Sequence, residues 1–200
     1  MTQKLLYVKA NPKNDSDSHT STLANVFLKE YQQRNSNCEI ITLDLYKEGI
    51  EPLDADILTK MFSGEGNKAY QYAQQFASVD KYVIAAPMWN LSIPAILKSY
   101  IDYVSYVGVS FKYTEAGPIG LLSDKPRKAI HISSRGGMYS QGPAKEFDLS
   151  DKYIRTILGF FGINEVESLF LELTNVLQGD ALKQAIDNSH EAARSLAAQF

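Results

Sequence analysis

The chain has a single cysteine, Cys38, so no intrachain disulfide can form. Cys38 adjoins the apolar pair Ile40-Ile41 and has no histidine or basic cluster beside it, the setting of a structural thiol. Long hydrophobic runs are also missing, and none approaches the ~18 residues needed to cross a bilayer as a helix. Excess charge is small, a net −3 over 200 residues, which argues against nucleic acid and anionic membranes as main partners. The three histidines, His19, His131 and His190, fall in separate segments without His-x-x-x-His or paired-cysteine spacing, so no metal is expected. His131 lies within an apolar run and reads as a core residue. No internal repeat or low-complexity tract occurs. The Walker phosphate loop, the G-x-G-x-x-G fingerprint and the G-x-S-x-G elbow of a hydrolase are all absent. Where a receiver domain carries an acidic pair after its first strand, this chain has Lys9-Ala10-Asn11. A strand pattern opens within four residues, with neither a basic-then-apolar signal nor an Arg-rich leader, so the expected location is the cytoplasm.

What is present is ordinary globular composition, 44% hydrophobic and 22% charged, in a length suited to one domain, residues 1–200. Short apolar runs alternate with longer amphipathic ones. Leu5 to Val8, Glu39 to Leu45, Tyr82 to Ala86, Ala129 to Ile132 and Val166 to Leu173 read as five strands. Tyr82-Val83-Ile84-Ala85-Ala86 is nearly continuous in apolar residues, as a strand buried on both faces should be. Between them the spacing predicts helices over Thr22 to Arg34, from near Pro94 through Val104, over Tyr153 to Phe161 and over Asp180 to Phe200. Gly162 supplies the C-cap signal of the third of these. Gly49, Pro52, Gly64 and Gly66 mark a looser connection, with short helices over Asp54 to Met61 and Asn67 to Ala77. Residues Val107 to Leu122 break the alternation: Val109, Phe111 and Tyr113 alternate with polar neighbours before Gly117-Pro118, which suggests a small β-excursion turning there. Tyr100, Tyr103, Tyr106 and Val107 fit either an interface or plain core.

Strands alternating with helices imply a three-layer αβα fold with a parallel sheet and right-handed crossovers. Ligands in such sheets bind beyond the carboxyl ends of the strands. Three loops follow predicted strands: residues 10–21, 87–93 and 133–142. In the first, Ser18, Thr20 and Ser21 precede a helix whose N-terminus is a ready anion site, although a simple N-cap would explain them equally. In the second, Met88, Trp89 and Asn90 offer a flat apolar ligand packing surface and a few hydrogen bonds, although a core Trp would fit as well. In the third, Gly136-Gly137 lets main-chain N–H groups approach a ligand closely, and a turn alone would also use them.

At these loops the sequence resembles the FMN-dependent NADH azoreductase and quinone reductase family. Ala85-Ala86-Pro87-Met88-Trp89-Asn90-Leu91 and Ser133-Ser134-Arg135-Gly136-Gly137 are similar to the family's most specific motifs. Phe111 to Pro118 and Leu158-Gly159-Phe160-Phe161-Gly162 follow in family order. The resemblance runs over essentially the whole chain. It implies a flavodoxin-like fold with strand order 2-1-3-4-5, a homodimer with two interfacial sites, and one FMN per chain. By matching positions, Asn11, Ser18, His19 and Thr20 would hold the phosphate. Met88, Trp89, Asn90, Leu91, Ser134, Arg135, Gly136 and Gly137 would hold the ring and ribityl chain. Asn90, Tyr113 and Phe160 would line the substrate face, partly from the partner. The first loop departs from the family by its Asn14-Asp15-Ser16-Asp17 extension and by Asn11 and Thr20, which stand where serines are common in relatives.

The function this implies is ping-pong transfer: NADH or NADPH delivers a hydride to flavin N5, then a quinone or aromatic azo compound takes the electrons on the same face. No side chain need act as acid, base or nucleophile, because the flavin carries the chemistry. The rivals are a flavodoxin-type electron carrier, which needs a partner protein, and a non-catalytic flavin- or nucleotide-sensing module.

Overall fold

A strand with apolar side chains on both faces must be covered on both, and the amphipathic segments of this chain supply the covers. The computed structural model describes residues 2–63 and 67–200. In chain order the elements are β1 (Lys4–Lys9), α1 (His19–Arg34), β2 (Glu39–Asp44), α2 (Ala55–Ser63), α3 (Lys68–Ser78), β3 (Lys81–Ala85), α4 (Ala95–Val104), β4 (Phe111–Thr114), β5 (Gly117–Gly120), β6 (Lys128–Ser134), α5 (Leu149–Phe161), β7 (Glu165–Leu171) and α6 (Gly179–Gln199). Five strands form a parallel sheet in the order β2-β1-β3-β6-β7, and β4-β5 is a separate antiparallel hairpin. With the hairpin's strands counted apart, this is the expected 2-1-3-4-5.

The period-2 alternation of the strands sorts the core into two halves. Leu5, Tyr7, Val83, Ala85, Ile130 and Ile132 face α1 and α6, meeting Leu23, Phe27, Tyr31, Ala193 and Ala197. Leu6, Val8, Tyr82, Ile84 and Ala129 face α3, α4 and α5, meeting Phe76, Leu97, Tyr100, Ile154 and Phe161. Tyr100, Tyr103 and Tyr106 are buried, so the three tyrosines are core and only Val107 of that group is exposed. Cys38 is buried with its sulfur 3.6 Å from the Tyr31 hydroxyl, a structural position.

Several boundaries differ from the sequence reading, each for a capping or turn reason. α1 begins at His19 rather than Thr22, because the Ser18 side chain accepts from Ser21 N at 3.1 Å. α5 begins at Leu149 rather than Tyr153, because Asp148 accepts from Asp151 N at 3.0 Å. Pro94 stands just outside α4 as its N-cap. β6 continues through Ser134, which places that residue in the sheet. The hairpin turns at Glu115 and Ala116, and Gly117 already pairs with Thr114. The hairpin is fixed to α5 by Leu122 N donating to Phe161 O at 2.8 Å, and at Gly120 a Cβ would overlap the Phe161–Gly162 backbone. Gly64 and Gly66 lie outside the described residues.

His131 is fully buried, as a core reading requires, and anchors β6 to α5. Its Nδ1 is 2.9 Å from Asp151 Oδ1, the same oxygen accepts from Ser168 Oγ at 2.7 Å, and Arg155 Nε donates to Oδ2 at 2.7 Å. Burial alone would raise the Asp151 carboxyl; the contact with His131 first, then Arg155 and Ser168, outweighs it and holds the group well below the usual carboxylate range. A depressed folded-state pKa contributes stability that is complete above the ordinary value near ~4 and is lost as pH falls toward the folded one. Asp151→Asn is therefore expected to lower unfolding free energy by about 3 kcal/mol at neutral pH. It should also flatten the loss of stability below pH ~4, read from urea melts across pH 2–7. An unchanged acid limb would refute the assignment.

Candidate functional site

β1, β3 and β6 are neighbours with Lys9, Ala85 and Ile132 in register, so three loops leave the sheet at one level. Strands lie about 4.8 Å apart, which starts all three loops within ~10 Å. Backbone bonds continue the ladder past the ends: Ala10 N to Ala85 O at 2.9 Å, Ala86 N to Ile132 O at 3.0 Å and Met88 N to Ser134 O at 3.2 Å. Thr20 Oγ1 and Ser134 Oγ lie 2.7 Å apart, and Ser134 N donates to Thr20 Oγ1 at 3.0 Å, which ties the first loop to the third.

The three loops, with a fourth segment after β7, enclose a cleft of about 400 Å³ lined by Asn11, Lys13, Asp17, Ser18, His19, Pro87, Met88, Trp89, Ser134, Thr174 and Asn175. Six expected ligand residues line it, Asn11, Ser18, His19, Met88, Trp89 and Ser134, while Thr20, Gly136 and Gly137 stand beside lining residues without lining it themselves. One end is polar. Buried Asn11 donates from Nδ2 to Ser18 Oγ at 2.7 Å, so that hydroxyl both caps α1 and is held from behind. Among the described residues the His19 and Thr20 N–H groups donate to no protein acceptor, leaving two donors at the positive end of the α1 dipole. Of the two aspartates in the loop extension, Asp15 turns outward to Lys9 Nζ at 2.8 Å and Asn25 Nδ2 at 3.2 Å. The hydrogen bond from Lys9, then that from Asn25, holds its carboxyl below the usual range.

The other end is apolar and rigid. Trp89 and Ser92 exchange backbone hydrogen bonds at 2.9 and 3.0 Å, closing a two-residue turn at Asn90 and Leu91. Both have positive φ, 48° and 69°, as a type I′ turn demands but a leucine resists. The turn presents Trp89 with 40% of its surface exposed. Asn90 and Leu91 form its tip and do not line the cleft.

In the third loop, Gly136 and Gly137 donate from neither N–H to a protein acceptor among the described residues, while their carbonyls accept from Asn175 N and Leu173 N. A Cβ at Gly136 would stand 2.5 Å from Asn175 Nδ2. Arg135 departs from its expected role as a ligand contact, because its side chain is fully buried and turned inward. Its Nη1 is 2.7 Å from Asp148 and 3.4 Å from Glu172, and its guanidinium lies 3.4 Å from the centroid of Phe170. Asp148 caps α5, and the next residue donates from Leu149 N to Leu91 O at 3.1 Å. Glu172 accepts from Tyr139 N at 2.7 Å and Ser140 N at 2.9 Å. The arginine is a strut between the second and third loops.

Tyr113 and Phe160 do not line the cleft of one chain. They flank Phe111 with centroids at 5.5 and 4.9 Å, and Tyr113 is 70% exposed. Five lining residues were not among the expected ligands: Lys13 and Asp17 in the first loop, Pro87 in the second, and Thr174-Asn175 after the fifth strand. The strand-end rule that selected three loops would have selected that fourth one.

A family model for the flavodoxin-like fold matches residues 3–197. A protein of Clostridium perfringens named FMN-dependent NADH:quinone oxidoreductase is 50% identical over 202 residues, covering 98% of this chain and 99% of that protein. The chain belongs to the flavodoxin-like family of FMN-dependent NADH:quinone oxidoreductases. Another relative of that name, from Caldicellulosiruptor saccharolyticus, is 44% identical, with 98% and 99% covered. Solved structures of this family agree in shape. An azoreductase from Bacillus anthracis superposes with a TM-score of 0.90 at 35% identity, covering 99% of this chain and 100% of that one. A second B. anthracis protein, described as an FMN-dependent NADH-azoreductase in complex with FMN, gives 0.89 at 28% identity, with 98% and 99% covered.

Removing the Arg135 charge would leave the half-buried Asp148 and Glu172 without a counter-ion. Arg135→Met is expected to lower stability by about 3 kcal/mol and to raise amide exchange at Tyr139, Ser140 and Leu149 together. Exchange unchanged at Leu149 would show that the two loops are not joined through this side chain.

Proposed function

We propose that the chain binds one FMN in the cleft and, as a cytoplasmic homodimer, passes electrons from NADH to quinones and aromatic azo compounds. The observation that carries this is a single cleft with unpartnered helix N–H groups at one end and an exposed Trp turn at the other, in a chain half identical to enzymes named for this reaction. The residues present fit FMN. Its phosphate would meet Ser18, Asn11 and the free N–H groups of His19 and Thr20, and Ser134 would face its ribityl chain. Its ring would pack against Met88 and Trp89, within hydrogen-bond reach of the third loop. A volume of about 400 Å³ falls within the range of small-molecule and cofactor sites.

When bound, FMN supplies the redox chemistry, accepting two electrons from a reduced nicotinamide and returning them to the acceptor. The protein binds, orients and sets the electrostatics. The Gly136 and Gly137 N–H groups, next to the lining residue Ser134 and without protein acceptors among the described residues, would hold negative charge at the ring's polar edge if the ring extends to them. The Trp89 turn supplies a stiff wall for a planar partner, and no side chain need move a proton as a nucleophile's base would. Support for the homodimer comes from exposed apolar residues on the hairpin and α5, Tyr113, Ile119 and Phe160, which a second copy would cover. That arrangement would also bring Tyr113 and Phe160 to the partner's cleft.

Purified protein is expected to carry about one FMN per chain. It should bleach with NADH, recolour on adding a quinone, and give parallel double-reciprocal plots when both substrates are varied. A colourless protein that ignores added FMN would remove the cofactor reading. Bound FMN without steady turnover would leave a sensor, and turnover only with a protein partner would leave a carrier. Sedimentation at micromolar concentration tests the dimer.

A further inference from the structure

We propose that Lys13 and Asp17 act as opposed charges on the phosphorylated tail of the cofactor, Lys13 tightening its hold and Asp17 loosening it. This rests on the cleft being an FMN site and concerns the part of the first loop that departs most from the family pattern. Residues 9–17 carry four charged side chains, and the geometry divides them into two pairs. Lys9 and Asp15 satisfy one another at 2.8 Å, with Lys9 also 3.3 Å from Asp44, so their charges stay within the fold. Lys13 and Asp17 make no ion pair within 4 Å among the described residues, and both line the cleft. Of the lining residues, Lys13 is the only one with a permanent positive charge and Asp17 the only one with a carboxylate.

Both are placed by short local bonds. Lys13 N donates to Asn11 Oδ1 at 3.0 Å, and the same buried amide donates to the α1 cap Ser18 at 2.7 Å, so one side chain fixes the lysine backbone relative to the helix terminus. Asp17 N donates to Asn14 O at 3.0 Å, and its carboxylate accepts from Asn14 Nδ2 at 3.3 Å and Ser16 Oγ at 3.1 Å. None of these bonds neutralises the carboxylate. An anion at the His19 and Thr20 N–H groups therefore feels an ammonium and a carboxylate from one short turn. A flavin without a phosphate would feel neither.

The test measures dissociation constants of FMN and of riboflavin, by quenching of flavin fluorescence, for the full chain freed of flavin. Lys13→Gln is expected to weaken FMN about tenfold at low salt, an effect that shrinks as salt is added, and Lys13→Arg to retain wild-type affinity. Asp17→Asn is expected to tighten FMN by roughly threefold to tenfold. Riboflavin should be indifferent to all three. Equal FMN affinity across the set would overturn the proposal, and so would parallel shifts for riboflavin, which would indicate a loop disturbed as a whole. A wild-type chain that binds neither flavin would overturn the cofactor reading itself, an outcome distinct from either.

Discussion

Everything that the cleft can do depends on three parallel strands ending level with one another. Lys9, Ala85 and Ile132 stand in one row across β1, β3 and β6, and the backbone keeps pairing for a residue or two beyond it. Parallel strands point their loops in one direction, and the right-handed crossovers put helix N-termini beside those loops. A one-residue slip between β1 and β3 would turn each apolar side chain to the wrong face. The two core halves therefore enforce the register that aligns the loops. Thr20 and Ser134, joined across more than a hundred residues of sequence, fasten the first loop to the third once that register is in place.

The second fastening uses charge, and it sits where charge is expensive. Arg135 is fully buried, and its Nε and Nη2 have no hydrogen-bond partner among the described residues. Hydrophobic replacement of such a cluster is often neutral or stabilising elsewhere, so the arrangement is poorly explained by stability alone. Its geometry offers a better reason. Asp148 belongs to the α5 cap that touches the Trp89 turn, Glu172 gathers the N–H groups of Tyr139 and Ser140, and both converge on one guanidinium nitrogen. A planar, directional group fixes the relative position of two loops in a way that interchangeable apolar contacts would not.

The architecture was legible in the sequence because it is written in periods. Strands such as Tyr82 to Ala86 carry apolar residues at every position, and the helices carry them on one side. The site was legible to the level of loops, because strand-end position needs only element order. What escaped was the direction of individual side chains. Arg135 sits between Ser134 and Gly136 and shares their motif, yet β6 alternation and two distant acids, Asp148 and Glu172, turn it away from the cleft. Asp15 and Asp17 are two residues apart and chemically identical, but only Asp15 has Lys9 across the β1 end to receive it. Thr174 and Asn175 follow a strand end as the other lining loops do, and they reach the cleft because the chain folds back on Arg135 and Gly136 after β7.

The Asn90–Leu91 turn shows how the scaffold tolerates a strained element at the site. A side chain with positive φ costs about 1–3 kcal/mol, and here two adjacent residues adopt it, one of them a leucine that gains nothing from the conformation. Asparagine-glycine would relieve the strain. The turn survives because it is held on three sides: by the Trp89–Ser92 bonds within it, by Leu149 N on Leu91 O from α5, and by Met88 N on Ser134 O from the sheet. Those bonds, rather than any preference of Leu91 for the conformation, keep Trp89 at the cleft edge with 40% of its surface exposed.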